Sequence, residues 1–246
     1  MARMALGLDP TAAGVLSPVL HMKNDSDTLA LELAEQLGGP LGVKRSTIRQ
    51  ALNHALQMQR RFVDDLRQRG RQVLENHDPR TPLVIVTGRP YNLYDERLNL
   101  RLGQSLAKIG VTALPMDFID VSGVDLAEFS SMYWGLGAQI LRTAKLISAT
   151  PHCFGLHLTN FGCGADSFIE HFYKHLMGGK ASLILELDEH SAAAGVMTRL
   201  EAYQHVIATS LRKNERPKSA PPRPGRWKPM PTCAVPAETV MALCAK

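Results

Sequence analysis

The sequence predicts an α/β protein with an open parallel sheet of about four strands, flanking helices and a long helix in front of the sheet. Three observations carry this expectation. Short runs such as Leu83-Val84-Ile85-Val86 are apolar throughout and rich in β-branched residues, as in strands covered on both faces. Segments with helical apolar spacing alternate with these runs, the arrangement of βαβ units. Gly110 and Gly178-Gly179 stop two of those helices just before the next strand.

Taken in order, residues 1–24 hold the breakers Asp9-Pro10, Gly14 and Ser17-Pro18 and read as irregular. Asp27 or Ser26 can cap a short helix through Leu29, Leu33 and Leu37, ended by Gly38-Gly39-Pro40. A long helix follows over 44–75. Its residues Ile48, Leu52, Ala55, Phe62, Val63, Leu66 and Val73 recur at roughly helical spacing, and arginines fill the solvated face. The first strand, 83–86, runs into Thr87-Gly88-Arg89-Pro90-Tyr91-Asn92. A helix over 99–109 and a strand over 111–114 come next. The helix over 133–147 places Tyr133 and Trp134 in the core and precedes a strand over 154–158. A glycine–cysteine loop then opens a helix marked by Phe168, Ile169, Phe172 and Leu176. A fourth strand over 182–187 and a last helix over 191–210 complete a Rossmann-like (flavodoxin-like) pattern. The domains read as an N-terminal helical segment over 1–78, a Rossmann-like domain over 79–210 and a Pro/Arg-rich tail over 211–246. The tail has the composition of a disordered segment, with room for one loose helix over 235–245.

Composition narrows the function classes. The formal charge of +5 is concentrated at one end: Ser210 to Lys246 carries eight basic and two acidic residues, leaving the first 209 residues at −1. The body therefore has no nucleic-acid footprint. No apolar run reaches the roughly 18 residues of a membrane span, and no basic-then-apolar leader opens the chain, so it reads as cytoplasmic. Cys153, Cys163, Cys233 and Cys244 include no CxxC pair, which argues against a structural zinc site or a disulfide framework.

Ligands of open parallel sheets bind beyond the carboxyl ends of the strands, and the reactive residues of this sequence concentrate there. Arg89 and Asn92 follow the first strand, Asp117 the second, Asn160, Gly162, Cys163 and Gly164 the third, and Asp188, Glu189 and His190 the fourth. Cys163 stands between two glycines at the start of a helix, a setting that lowers a thiol's pKa and suits a metal-binding or nucleophilic thiolate; a small buried structural thiol is the alternative. Arg89 can clamp a carboxylate or phosphate, or pair with an acid such as Asp117. Asp188, Glu189 and His190 are candidate acid/base groups or ligands, or a cap for the last helix. Asn160 and Ser167 can orient a ligand or close the turn. His171 and His175 are spaced i, i+4, but no HExxH glutamate accompanies them.

Three blocks carry a family resemblance: Thr87-Gly88-Arg89-Pro90-Tyr91-Asn92; Leu158-Thr159-Asn160-Phe161-Gly162-Cys163-Gly164-Ala165-Asp166-Ser167-Phe168; and Leu185-Glu186-Leu187-Asp188-Glu189-His190-Ser191-Ala192-Ala193-Ala194-Gly195. They resemble the 2-hydroxyacyl-CoA dehydratase-related proteins, in the branch of CoA-substrate-specific enzyme activases or predicted activators, over roughly residues 17–203. The resemblance implies an oxygen-sensitive iron–sulfur system of anaerobic metabolism. In it Cys163 is a ligand of a [4Fe–4S] cluster, an acyl-CoA is the ligand, and an ATP-dependent activator or other subunits are partners. Arg89, Asn92, Asn160, Asp188, Glu189 and His190 line the same crevice. This chain contains no Walker A sequence or actin-like phosphate loops, and the tail stands where relatives continue in ordered sequence. It therefore reads as a component or fragment that is not catalytic alone. The alternative is a non-catalytic Rossmann-like binding or scaffold domain in which Cys163 is structural.

Overall fold

In the computed structural model, residues 16–78 and 81–214 are described; Cys233, Cys244 and the helix expected over 235–245 lie outside them. The chain divides into two units, Met1–Ser210 and Leu211–Lys246. Two helices come first, α1 (Ser26–Leu41) and α2 (Arg45–Asn76), followed by β1 (Leu83–Thr87), α3 (Pro90–Tyr94) and α4 (Leu102–Lys108). Then come β2 (Thr112–Pro115), two short 3₁₀ turns, α5 (Gly135–Ala149), β3 (Cys153–Asn160), α6 (Gly164–Met177), β4 (Ser182–Leu187) and α7 (Ala193–Asn214). All pairings are parallel and the strand order is β2-β1-β3-β4. This is an α/β Rossmann-like sheet with a long helix ahead of it. No helix among the described residues is long and apolar enough to cross a membrane.

Strand alternation explains how the sheet is covered. Leu83 and Ile85 of β1, Leu114 of β2 and Cys153 of β3 pack on Ile140, Leu141, Ala144 and Ile147 of α5, and on Ile169, Tyr173 and Met177 of α6. On β3, Leu156 and Leu158 alternate with these positions and are fully buried. Helix α7 is tied to the same strand by the Tyr203 hydroxyl, which donates to the Gly155 carbonyl at 2.7 Å. Burial pushes the Cys153 thiol up to about 11, so it stays a neutral core group.

Several local expectations are corrected. Helix α1 is capped by Asp25, whose carboxylate accepts from the Asp27 and Thr28 N–H groups at 3.0 Å, rather than by Ser26 or Asp27. It also runs through Gly38-Gly39-Pro40. Gly42, at φ 62°, closes it by donating to the Gly38 and Gly39 carbonyls, the left-handed ending that glycine adopts at least cost. The helix expected over 99–109 is broken: Leu100 and Arg101 take left-handed φ of 53° and 55°. Asn99 holds that break by donating to the carbonyls of Asn92 and Leu93 and accepting from the Leu102 N–H. Tyr133 is not core; it is 82% exposed and stacks edge-on against Trp134, which is half-buried. The last helix starts at Ala193 rather than 191, after a side-chain turn centred on Asp188.

Gly70 decides how closely α2 approaches the rest of the unit. It is the buried residue of that helix, and a Cβ there overlaps the Phe118 carbonyl oxygen. Gly70→Ala is therefore expected to cost about 1–3 kcal/mol through overpacking against backbone, which cannot rotate away. Gly103→Ala, in α4 with open space around its Cβ, is expected to gain up to about 1 kcal/mol from helix propensity. Thermal unfolding of the two variants checks the contrast, and equal effects would remove the packing argument.

Candidate functional site at the strand ends

The strand order places a topological switch between β1 and β3: the chain moves outward to β2 on one side and to β4 on the other. Connections diverging in this way leave a crevice outside the carboxyl ends of the two central strands. Arg89 and Asn92 leave β1 at this edge, and Asn160 and Cys163 leave β3 there.

Arg89 is the N-cap residue of α3, and its Nε donates to Asp166 Oδ1 at 2.8 Å. Asp117, the partner considered from sequence, instead accepts from Tyr94 Oη and Gln139 Nε2, each at 2.8 Å. Burial together with that bond pushes the Tyr94 phenol well above its ordinary range. Asp166 is 1% exposed and sits in the first turn of α6, where the helix dipole favours negative charge. Its second oxygen accepts from Thr159 Oγ1 at 3.2 Å. Burial works against the Arg89 guanidinium, but the Asp166 carboxylate outweighs it and holds the group above its ordinary pKa. Cys163 lies within electrostatic reach of this pair and contributes in the same direction.

Beneath the pair lies a second buried unit. His157 Nδ1 meets Thr87 Oγ1 at 2.9 Å, its ring stacks on Tyr173 with centroids 5.0 Å apart, and its Nε2 is buried without a partner. Burial drives the imidazole down to about 4, so it is neutral near pH 7. Sequence reasoning missed Asp166, Thr159, Thr87 and His157 as a connected set. The available signal was polarity inside an apolar strand: His157 and Thr159 interrupt β3, whose other residues from Cys153 to Leu158 are non-polar and buried.

Cys163 is the N-cap residue of α6 and is half-buried. Its backbone closes the turn, the N–H donating to the Asn160 carbonyl and the carbonyl accepting from the Ser167 N–H and hydroxyl. Gly162 supplies the left-handed residue of the turn at φ 70°, and Gly164 begins the helix. Ser167 is thus a turn residue.

A cavity of about 380 Å³ opens at the same edge, lined by Asn92, Asn160, Phe161, Leu187, Asp188 and Glu189 among others. Two side-chain atoms there are buried without partners, Asn92 Nδ2 and Asn160 Oδ1. Asp188 Oδ1 accepts from the His190 N–H and from Ser191 Oγ, which holds its carboxyl below the usual range. Asp188 therefore closes its own turn and does not cap α7. The side chains of Glu189 and His190 are 83% and 85% exposed, and His190 is outside the cavity lining.

A [4Fe–4S] cluster is held by several thiolates. Cys163 follows the carboxyl end of β3, whereas Cys153 opens that strand at its other end, about 20 Å away along an extended chain. Among the described residues no three His, Cys, Asp or Glu side chains gather to hold a metal ion. His171 and His175 pack edge-on to Phe172 and Phe129 respectively. The described residues therefore do not by themselves make a cluster site.

Comparison with protein families matches residues 2–119 to a model described as the CoA enzyme activase uncharacterised domain. The match takes in α1, α2, β1, β2 and the Arg89 loop, and stops before the loops of Cys163 and Asp188. No curated protein and no solved structure gives a match. Over residues 2–119 the chain is thus similar to a CoA enzyme activase-related domain.

Proposed function

We propose that this chain is the ligand-binding α/β component of a 2-hydroxyacyl-CoA dehydratase/activase-like system, acting with an ATP-dependent activator or other subunits rather than catalysing alone. The convergence of Arg89, Asp166, Asn92, Asn160 and Cys163 on the switch point between β1 and β3 carries this reading. The family match supports it for the part containing Arg89 and Asn92. Arg89, fixed by Asp166, orients an anionic or carbonyl-bearing ligand, and Cys163 presents a thiol beside it.

The described residues supply one thiol at this edge. A cluster bound here thus takes its remaining thiolates from outside those residues or from another subunit, and no chemical step is assigned to it. The same observation favours a second reading, a binding or scaffold domain in which Cys163 serves the turn.

Anaerobic reconstitution of the full chain with iron and sulfide, compared with Cys163→Ser, separates the two. The iron–sulfur reading expects a brown protein whose iron content falls by more than half in the variant. A colourless wild type, or iron retained fully in Cys163→Ser, would overturn the role of Cys163 and leave the binding-domain reading.

A further inference from the structure

We infer that the cavity beside the middle of α2 binds a medium-chain monocarboxylate, its apolar chain along the helix and its carboxylate on Arg142. The cavity measures about 900 Å³, a volume that suits a small organic ligand, and it shares no lining residue with the strand-end cavity. Gln59, Phe62, Val63 and Leu66 follow one another at i, i+3, i+4 and i+7, so a single face of α2 forms one wall. Phe118, Ile119 and Val121, which follow β2, supply further apolar lining. One turn beyond Leu66 the helix closes on that segment, where Gly70 meets the Phe118 carbonyl. Phe62 is nevertheless 57% exposed. The helix therefore passes this stretch without filling it, and an aromatic side chain is left for an apolar guest.

The polar residues of the lining set the sign of the ligand. Asp117 has both oxygens taken, by Tyr94 Oη and Gln139 Nε2 at 2.8 Å each. Arg67 pairs with Asp120 at 3.5 Å, and Arg71 acts on the same carboxylate. Arg142 differs. It is half-buried on α5, its Nε donates to the Val124 carbonyl at 3.1 Å, and no carboxylate among the described residues forms an ion pair with it. A guanidinium carries several N–H donors and meets a carboxylate with two parallel bonds. Arg142 thus brings a positive charge without a carboxylate partner to a lining whose own acid has its acceptors in use. An anion gains there what a cation does not. One such charge within an otherwise largely apolar lining matches an amphipathic monoanion.

This inference goes beyond the proposed function and rests on neither Cys163 nor the strand-end cavity, so the iron test and this one stand or fall separately. The test titrates the full chain with octanoate, 1-octanol and octylamine, which share one chain and differ in the charge of the head group, and follows backbone chemical shifts. Octanoate is expected to bind with millimolar or tighter affinity and to move the amides of residues 59–66 and 118–121. It is expected to bind about tenfold more tightly than 1-octanol, the worth of a charge-assisted hydrogen bond. Arg142→Met is expected to bring octanoate to the level of 1-octanol while leaving 1-octanol itself unchanged. Phe62→Ser, at an exposed position where the fold tolerates the change, is expected to weaken both by a similar factor, about tenfold. No binding of octanoate at millimolar concentration overturns the inference. So does equal binding of octanoate and 1-octanol, tighter binding of octylamine than of octanoate, or a preference for octanoate that survives Arg142→Met. Should Arg142→Met fail to fold, the order of the three head groups on the wild type and the effect of Phe62→Ser decide.

Discussion

Arg89→Met is expected to destabilise the fold by about 2–4 kcal/mol at pH 7. Removing one member of a buried pair leaves the other charge without compensation, typically at about 3–5 kcal/mol. Here the stranded group is the Asp166 carboxylate, with 1% of its side chain exposed. Its place in the first turn of α6 offsets about 1 kcal/mol through the helix dipole, and Thr159 Oγ1 still donates to it. Removing both charges in Arg89→Met/Asp166→Leu is expected to recover most of the loss, because an apolar pair of similar volume carries no desolvation penalty. Urea unfolding of the two single variants and the double variant measures the coupling. A cost below about 1 kcal/mol for Arg89→Met, the range of surface ion pairs, would show that the bond does not hold the β1 loop to α6.

The second large effect is a pH dependence set by His157. Its folded pKa, about 4, lies below its ordinary 6.5 because burial disfavours the charged ring. The unfolded chain therefore takes up a proton that the folded chain refuses. The stability from this group is present in full above about pH 6.5 and is lost as pH falls toward 4, by about 3 kcal/mol in all. Asp25, Asp120 and Asp188, which accept hydrogen bonds that hold their pKa values low, add their losses only below about pH 4, so the window from 6.5 to 4.5 isolates the histidine. His157→Phe keeps a ring against Tyr173 but cannot titrate. It is expected to flatten that window while losing the Thr87 bond. A wild type whose unfolding free energy is level from pH 7 to 4.5 would contradict the buried neutral assignment.

How far the site was readable follows from the range of the interactions involved. The Arg89 loop, the Cys163 turn and the Asp188 loop were each visible as polar residues at the end of an apolar run, because a strand and its following turn are written in adjacent residues. The break at Leu100 and Arg101 was not visible, since propensity there yields to the side chain of Asn99 bonding back to α3. Tyr133 was read as core on hydrophobicity alone, and aromatic residues are not always buried. Arg89 had two candidate acids, and local sequence contains nothing that chooses between Asp117, 28 residues on, and Asp166, 77 residues on.

Periodicity and punctuation by themselves therefore determined that this chain alternates strand and helix behind a long helix, and that its chemistry gathers at one edge of the sheet. Those are properties of near neighbours, set by backbone sterics and by which side chains avoid water. The tertiary structure alone decided that β1 and β3 lie side by side, that Asp166 takes Arg89, and that His157 is held neutral beneath them. It alone left one amide atom of Asn92 and one of Asn160 buried without a partner. Each of these depends on closing loops of some 70 residues and on removing particular atoms from water, and neither distance nor burial is encoded in any short stretch of sequence.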